Sequence, residues 1–315
     1  MRPCLVLLAI PLVALGGCSD YDVSRQDERD GFTQQNGNLT VDILWVMDNS
    51  GTMSEEQENL VANLSSFVDV LDGFGADWQA GVITTAADGD DGGTIVGPIL
   101  SPYLADVATS FAEQVDVGVT GDITEKGLRA IQLATSEALL STTNADLLRS
   151  AADLAVVVLS DEDDHSDGDT SDYVDHLDAL KGAGRARLSA VVGQRPAGCA
   201  SPYAAADAVE RYLVVSEATG GVQDSICRAD FTDTMKALAL NALGLTDTFP
   251  LRMVPEPETI EVRLEGVLLY ERPENGWQYD AGLNAIVLDG YAIPGPGAGI
   301  EVRYFAWLGA EKEEE

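Results

Sequence analysis

Two short loops of this sequence combine carboxylate and hydroxyl side chains directly after apolar runs. The first loop, residues 48–52 (DNSGT), follows the run 41–47 (VDILWVM). The second loop, residues 160–164 (SDEDD), follows the run 154–159 (LAVVVL). Carboxylate and hydroxyl oxygens are hard ligands, which favour Mg²⁺, Mn²⁺ or Ca²⁺ over Zn²⁺. The two loops therefore predict a divalent-metal site if the fold brings them together.

The elements around these loops alternate between strands and helices. The runs 41–47 and 154–159 are typical of strands that are buried on both faces of a parallel sheet. A helix is predicted after the first loop, because apolar residues recur at helical spacing over 60–71. This alternation predicts an α/β domain over residues 39–247, with a doubly wound, mostly parallel sheet flanked by helices. Ligands of such sheets bind beyond the carboxyl ends of the strands, where both loops fall.

The first loop resembles a known metal-binding motif. Asp48, Ser50 and Thr52 are similar to the DxSxS signature of the metal-ion-dependent adhesion site in von Willebrand factor type A domains, with threonine in place of the last serine. The family also uses an aspartate at the end of its fourth strand, and Asp161 takes that position. The resemblance implies a von Willebrand A-like fold that binds Mg²⁺, or alternatively Mn²⁺ or Ca²⁺. It also implies a protein partner that offers a carboxylate to the metal.

The remaining metal ligand of that family is a threonine in the loop before an intervening helix. The segment 120–128 (TGDITEKGL) takes that place in this sequence. Thr124 is predicted as the ligand, and Asp122 and Thr120 are the alternatives.

The N-terminus resembles the export signal of a bacterial lipoprotein. A short apolar run follows Arg2 and ends in LGGC at 15–18, which is similar to a lipobox. Cleavage would remove residues 1–17 and leave Cys18 as the lipidated residue that anchors the protein to a membrane. The polar residues 18–38 are predicted to form a flexible tether. We therefore expect a cell-envelope protein, at the outer membrane of a Gram-negative bacterium.

Cys199 and Cys227 are the cysteines that remain once Cys4 leaves with the signal and Cys18 is lipidated. An isolated pair in an oxidising compartment is expected to form a disulfide, which stabilises by about 3 kcal/mol for a loop of this length. Two free thiols are less expected in such a compartment. A metal site is less expected still, because neither cysteine has a CxxC or histidine companion.

The charge of the chain limits its partners. The sequence has 53 acidic and 18 basic residues, which gives a formal net charge of −35. Such a surface repels phosphate backbones, so nucleic acid is excluded as a partner. Divalent cations are compatible with it.

The composition changes after Thr248. Prolines mark a boundary there, and apolar residues then alternate at period two between glycine-rich turns. This pattern predicts a small all-β appendage over residues 248–310, followed by an acidic tail at 311–315.

Two other functions fit parts of the pattern. The loop 48–52 also resembles the DxTGT motif of haloacid dehalogenase-type phosphotransferases, which would make Asp48 the nucleophile of a metal-dependent phosphatase. Those enzymes need a lysine from a late helix, and none of the lysines here lies in a convincing motif. A metal-free envelope scaffold is the other alternative. We expect a binding protein for adhesion or assembly rather than an enzyme.

Overall fold

The computed structural model describes residues 25–89, 91–121 and 124–307. Its strands are β1 (Arg25–Thr33), β2 (Thr40–Met47), β3 (Asp77–Thr84), β4 (Asp153–Ser160), β5 (Ala186–Val192), β6 (Cys199–Ala200), β7 (Ala205–Ala206), β8 (Gln223–Ser225), β9 (Thr248–Pro250), β10 (Glu261–Leu264), β11 (Val267–Leu268), β12 (Trp277–Asp280), β13 (Ala285–Leu288) and β14 (Gly299–Trp307). Its helices are α1 (Ser54–Gly73), α2 (Val107–Val115), α3 (Gly127–Ala134), α4 (Glu137–Leu140), α5 (Thr170–Lys181), α6 (Arg211–Thr219) and α7 (Thr232–Ala242). The predicted export signal, Cys18, Asp122 and the acidic tail lie outside the described residues. Within the described ranges, no helix has the length and apolar character needed to cross a membrane.

A parallel five-stranded sheet in the order β3-β2-β4-β5-β8 forms the centre of the α/β domain. β2 and β4 are neighbours in the middle of this sheet and are buried on both faces, as their continuous apolar sequences predict. Helices cover the sheet on both sides. The predicted α/β fold with a parallel sheet and flanking helices is therefore confirmed.

The two faces of β2 pack against different helices. Trp45 lies edge-on to Phe67 of α1 and Phe111 of α2, with ring centroids 5.2 Å and 5.5 Å away. Leu44 points to the opposite face, in a cluster that includes Leu128 of α3. Because both faces are closely packed, the end of β2 and the loop that follows it are held in a fixed position.

A buried ion-pair network lies near the start of β2. Asp42 is fully buried and accepts hydrogen bonds from the Arg149 backbone N–H at 2.7 Å and from Arg149 Nε at 2.8 Å. Lys181 Nζ donates at 2.8 Å to Asp42 Oδ2, the oxygen that also accepts the Arg149 backbone N–H, and the Lys181 side chain is also buried. The network ties the end of α5 to the sheet at the edge opposite the two acidic loops.

The C-terminal residues, together with β1, form two antiparallel sheets, in the orders β1-β14-β10-β11 and β12-β13-β9. They enclose a separate apolar core that includes Val262, Trp277 and Tyr304. The predicted C-terminal β appendage is therefore confirmed. We call these two sheets, including β1, the β region.

The prediction of a flexible tether over residues 18–38 is wrong for residues 25–33. They form β1, which pairs antiparallel with β14 along its whole length. The acidic side chains of β1 find partners in the β region: Asp30 accepts hydrogen bonds from the Arg252 backbone N–H at 3.0 Å and from Tyr304 Oη at 2.8 Å. Pairing with a distant strand thus orders a segment whose own sequence carries little apolar surface.

The β region contacts the α/β domain at the carboxyl end of α1. Phe74, at that end, and Tyr291 of the β region line a shared cavity of about 450 Å³. Gln34, just after β1, donates to the backbone oxygens of Thr246 and Pro294 and joins the two parts. Since α1 has 20 residues, it spans about 30 Å. Its other end, at Ser54, follows the first acidic loop.

Candidate metal-binding site

Asp48 connects the two acidic loops. It is fully buried, and its backbone N–H donates to Leu159 O at 3.0 Å, which extends the pairing of β2 and β4 by one residue. Its Oδ1 accepts a hydrogen bond from the Ser50 N–H at 2.8 Å, and its Oδ2 accepts one from Ser160 Oγ at 2.6 Å. One carboxylate therefore fixes the start of both loops.

The hydroxyls of the first loop lie beside the carboxylate of the second. Ser50 Oγ and Thr52 Oγ1 are 3.2 Å apart. Asp161 follows β4 directly, is 5% exposed, and has one oxygen, Oδ1, without a hydrogen-bond partner. Burial raises the pKa of Asp161 to about 6, and the nearby Thr52 hydroxyl partly opposes this shift. The structure thus brings Asp48, Ser50, Thr52 and Asp161 together at one edge of the sheet.

The third predicted loop packs against the first. The Gly121 N–H donates to Asn49 O at 2.8 Å, and a Cβ atom at position 121 would lie only 2.1 Å from Asn49 Oδ1, so a larger residue there would force the Asn49 side chain to move. Thr120 and Thr124 are both exposed in this loop. The structure places the loop next to the site, but it does not bury either threonine among the site oxygens.

Glu125 is a site residue that the sequence analysis missed. It is 1% exposed, and neither of its carboxylate oxygens has a hydrogen-bond partner. Burial and then the negative charge of Asp48 raise its pKa to about 8, while the Thr85 hydroxyl acts in the opposite direction. The sequence offered no signal for this role, because Glu125 is a single acidic residue in an irregular segment.

Other carboxyl groups at this edge of the sheet also have raised pKa values. Burial raises the pKa of Glu56 to about 7, and the negative charges of Asp161 and Glu55 add to the effect. Burial and Asp48 raise the pKa of Glu162 as well. Burial is the main cause of these shifts, and the negative charges of neighbouring carboxylates add to it, so a bound cation would favour the ionised forms.

Unpartnered polar atoms concentrate at this site. Among the described residues, nine buried side-chain nitrogen or oxygen atoms have no hydrogen-bond partner. Six of the nine are oxygens of this region: Asn49 Oδ1, Glu56 Oε2, Thr85 Oγ1, Glu125 Oε1 and Oε2, and Asp161 Oδ1. A buried polar atom without a partner costs about 1–3 kcal/mol. All six can accept, and the amide oxygen and the four carboxylate oxygens in their ionised form cannot donate, so the residues present fit a hard cation.

The donor set also limits how an ion could be held. In the part of the chain that the structure describes, no three acidic, histidine or cysteine side chains converge closely enough to bind a metal by themselves. An ion at this edge would therefore need the Ser50 and Thr52 hydroxyls and water as ligands. Neutral ligands leave the positive charge of the ion largely uncancelled, so it would attract a further anionic ligand.

A hairpin forms one wall beside these residues. β6 and β7 make this hairpin, and the predicted disulfide between Cys199 and Cys227 is confirmed, with a Cα–Cα distance of 6.0 Å. The Asp207 N–H, at the end of the hairpin, donates to Asp161 O at 2.9 Å. A cavity of about 350 Å³ lies between this hairpin and Thr52, and Asp161 lines it. Of the candidate ligands, Thr52 and Asp161 thus line an open cavity on that side.

The lysines of the described chain are engaged in ion pairs. Lys126 Nζ lies 2.5 Å from Asp88, and Lys236 Nζ lies 3.2 Å from Asp289 in the β region. Lys181 belongs to the network at the opposite edge of the sheet. None of these three contacts is made to Asp48, the residue that a phosphatase would use as its nucleophile.

With a chelator present, Glu125→Gln is expected to stabilise the protein at about pH 8 but not at about pH 4. The folded state favours protonated Glu125, because its pKa is about 8 there against 4.5 normally. The contribution of Glu125 to the stability of the fold is therefore fully present below its pKa in the unfolded state. It is lost as the pH rises through its pKa in the folded state. Urea unfolding at both pH values measures the difference, expected to be on the order of a few kcal/mol at the higher pH.

Glu55→Gln is the matched control for this prediction. Glu55 carries the same charge nearby but is exposed. Its replacement is expected to change the free energy of unfolding little at either pH. Equal effects of the two variants on the pH dependence would contradict the assignment of the shift to the burial of Glu125.

The central parallel sheet, its flanking helices and the extra β sheets match the von Willebrand A-like α/β fold expected from the sequence. Among solved structures, the pilus adhesin SpaC from Lactobacillus rhamnosus GG is similar with a TM-score of 0.45 and 13% identity, over 92% of this chain and 42% of the adhesin. Proximal thread matrix protein 1 from the mussel byssus is similar with a TM-score of 0.40 and 12% identity, over 68% of this chain and 48% of that protein. The ArnB paralog VWA2 from Sulfolobus acidocaldarius is similar with a TM-score of 0.33 and 10% identity, over 91% of this chain and 67% of that protein.

These similarities concern the fold. The chain spans less than half the length of the adhesin and of the thread matrix protein. No protein-family model matches the sequence, and a comparison with curated proteins finds no match.

Proposed function

We propose that this protein binds a divalent cation and uses it to hold a carboxylate of a partner protein. Mg²⁺ is the first choice of ion, and Mn²⁺ and Ca²⁺ are the alternatives. The role is adhesion or assembly at the cell envelope rather than catalysis. The observation that carries the proposal is the position of the Ser50 and Thr52 hydroxyls beside the buried Asp161 carboxylate, whose Oδ1 has no hydrogen-bond partner. A cation is the simplest group that would satisfy this oxygen together with the two hydroxyl oxygens.

Each residue of the site would have a separate role in binding the ion. The hydroxyls of Ser50 and Thr52 and the free oxygen of Asp161 would ligate the ion. Asp48 holds the two loops through its hydrogen bonds to Ser50 and Ser160 and adds negative charge. From the third loop, Thr124 is the proposed hydroxyl ligand. A carboxylate from the partner would complete the coordination of the ion.

The arrangement of the two parts of the protein supports a binding site that faces away from the membrane. Lipidation at Cys18 would attach the chain to the outer membrane just ahead of β1. The β region, which contains β1, meets the carboxyl end of α1, and the acidic loops lie at the amino end of that helix. The proposed binding site would therefore face away from the membrane, toward external partners.

Relaxation of solvent water by bound Mn²⁺ tests the proposal. Mn²⁺ bound to the protein is expected to enhance water proton relaxation, because water fills its open positions. Adding a capped Gly-Asp-Gly peptide is expected to reduce this enhancement as the aspartate carboxylate displaces water. The peptide with asparagine in place of aspartate is the control and should leave the enhancement unchanged.

Two results would contradict the proposal. Absence of Mn²⁺ binding would favour a metal-free scaffold. Equal responses to the aspartate and asparagine peptides would show that the ion does not recognise a carboxylate.

A further inference from the structure

A cleft at the amino edge of the central sheet combines a basic side chain with an apolar wall. It has a volume of about 270 Å³ and lies between the start of β5 and the carboxyl end of α7. Arg187 of β5 and Gln35, from the segment that follows β1, line it from different parts of the chain. Its apolar wall consists of Val222, Ala237, Leu240 and Leu245. The cleft is therefore a mixed polar and apolar site away from the acidic loops.

Arg187 is the charged group in this cleft that lacks a hydrogen bond. Its side chain is 19% exposed and donates to no other residue of the described chain. Asp153 Oδ2 lies 3.8 Å from its Nη1, too far for a hydrogen bond, and Asp153 Oδ1 already accepts from Arg185 Nε at 2.8 Å. A guanidinium stays charged in proteins, and enclosed polar groups normally have partners. The N–H groups of Arg187 are therefore available to an acceptor from outside the chain.

The surrounding turn positions the guanidinium but does not use it. Gly244 follows α7 and makes room for it, since a Cβ atom there would lie 3.3 Å from Arg187 Nη2. The carbonyl groups at the end of α7 accept from backbone N–H groups of the same turn, as Ala239 O does from Leu243 at 3.2 Å. None of the Arg187 nitrogens is fully enclosed, so an incoming acceptor can reach them.

The lining favours a small monocarboxylate as the ligand. A guanidinium is planar, and its parallel N–H groups match the two oxygens of a carboxylate. Asp247 also lines the cleft and balances the charge of Arg187, so the lining has no excess positive charge for a dianion such as phosphate. The side-chain amide of Gln35 makes no hydrogen bond to the described residues and can donate to the same ligand. The apolar wall suits a short hydrocarbon group.

We infer that this cleft binds a small monocarboxylate with a short apolar group, and that Arg187 holds the carboxylate through paired, charge-assisted hydrogen bonds. Gln35 would donate a further hydrogen bond, and the apolar group would pack against Val222 and Leu240. Both segments that connect the α/β domain with the β region pass this cleft, so the ligand would bind where the two parts are joined. The inference does not depend on the proposed metal site, which lies at the other edge of the sheet.

Saturation-transfer NMR with isovalerate tests the inference, with a chelator present throughout. Isovalerate carries one carboxylate on a short branched hydrocarbon chain, and isovaleramide is its neutral control. The wild type is expected to bind the acid about tenfold more tightly than the amide, because the amide cannot form the charge-assisted pair of hydrogen bonds. Inorganic phosphate at the same concentration should not displace the acid.

Arg187→Gln is expected to remove the preference for the acid. Since Arg187 donates no hydrogen bond to the described residues, the variant should fold, with little change in its thermal unfolding temperature. Arg187→Lys keeps the charge without the planar pair of donors, so it should bind isovalerate more weakly than the wild type. Arg29→Gln is the matched control, because Arg29 also has a long ion pair, at 3.6 Å to Glu301, but is 63% exposed and does not line the cleft.

Phenylglyoxal, which modifies accessible guanidinium groups, gives a residue-specific measurement on the wild type. Saturating isovalerate should slow the modification of Arg187, as read by mass spectrometry, and leave that of Arg29 unchanged. No binding at millimolar concentration, equal binding of acid and amide, or displacement of isovalerate by phosphate would refute the carboxylate site. An acid preference that survives in Arg187→Gln would refute it as well. Because a chelator is present, failure of the metal site would leave all these results unchanged.

Discussion

Asp161→Asn is expected to abolish measurable Mg²⁺ binding in a calorimetric titration. Among the proposed ligands, Asp161 is the one that combines a formal charge with a buried oxygen free of hydrogen bonds. The Ser50 and Thr52 hydroxyls contribute no charge, so losing the Asp161 carboxylate removes the main direct attraction for the ion. Supporting residues alone change metal affinity by about 10–100-fold, and loss of a charged ligand should weaken it by about 100-fold or more.

Asp167→Asn is the matched control for this experiment. Asp167 lies in the segment that follows the same strand and is exposed. Its substitution removes the same formal charge but should leave the Mg²⁺ heats unchanged. Equal heats for the wild type and Asp161→Asn would remove the basis for the metal site. Urea unfolding in a chelator should show that Asp161→Asn is no less stable, because burial already disfavours the ionised aspartate.

Asp42→Asn is expected to lower the free energy of unfolding by about 3–5 kcal/mol. Asp42 is fully buried and accepts hydrogen bonds from both Arg149 and Lys181. The Lys181 side chain is only 3% exposed, so removing the aspartate charge would leave an ammonium group buried without a counter-ion. Urea unfolding of the wild type and the variant measures the difference.

Asp77→Asn provides the comparison for this second variant. Asp77 also pairs with Arg149, at 2.9 Å, but its side chain is 54% exposed. Its loss should cost less than about 1 kcal/mol, because water screens exposed pairs. A cost for Asp42→Asn as small as that for Asp77→Asn would contradict the buried-network account. Mg²⁺ binding should persist in folded Asp42→Asn, since the network lies at the opposite edge of the sheet.

The α/β domain could be predicted from the sequence because its signals are local. The strands at 40–47 and 153–160 are mostly apolar segments, and each ends at an acidic loop. Parallel pairing of neighbouring strands places such loops at one edge by geometry alone. The meeting of Asp48 with Asp161 could thus be expected before any coordinates.

Residues that depend on long-range contacts could not be predicted in this way. β1 has a polar sequence, and it is a strand because β14, far along the chain, pairs with it. Glu125 and Glu56 were missed because only the folded chain shows that they are buried and lack donors. The burial of a single acidic residue has no periodic signature in the sequence.

The pairing of β1 with β14 also determines how the protein would carry mechanical load. Arg25 opposes Trp307 at one end of the ladder, and Thr33 opposes Gly299 at the other, next to the link to the α/β domain. Tension between a held N-terminus and a partner at the acidic loops would therefore run lengthwise along β1. Its hydrogen bonds would share the force in shear instead of opening one after another.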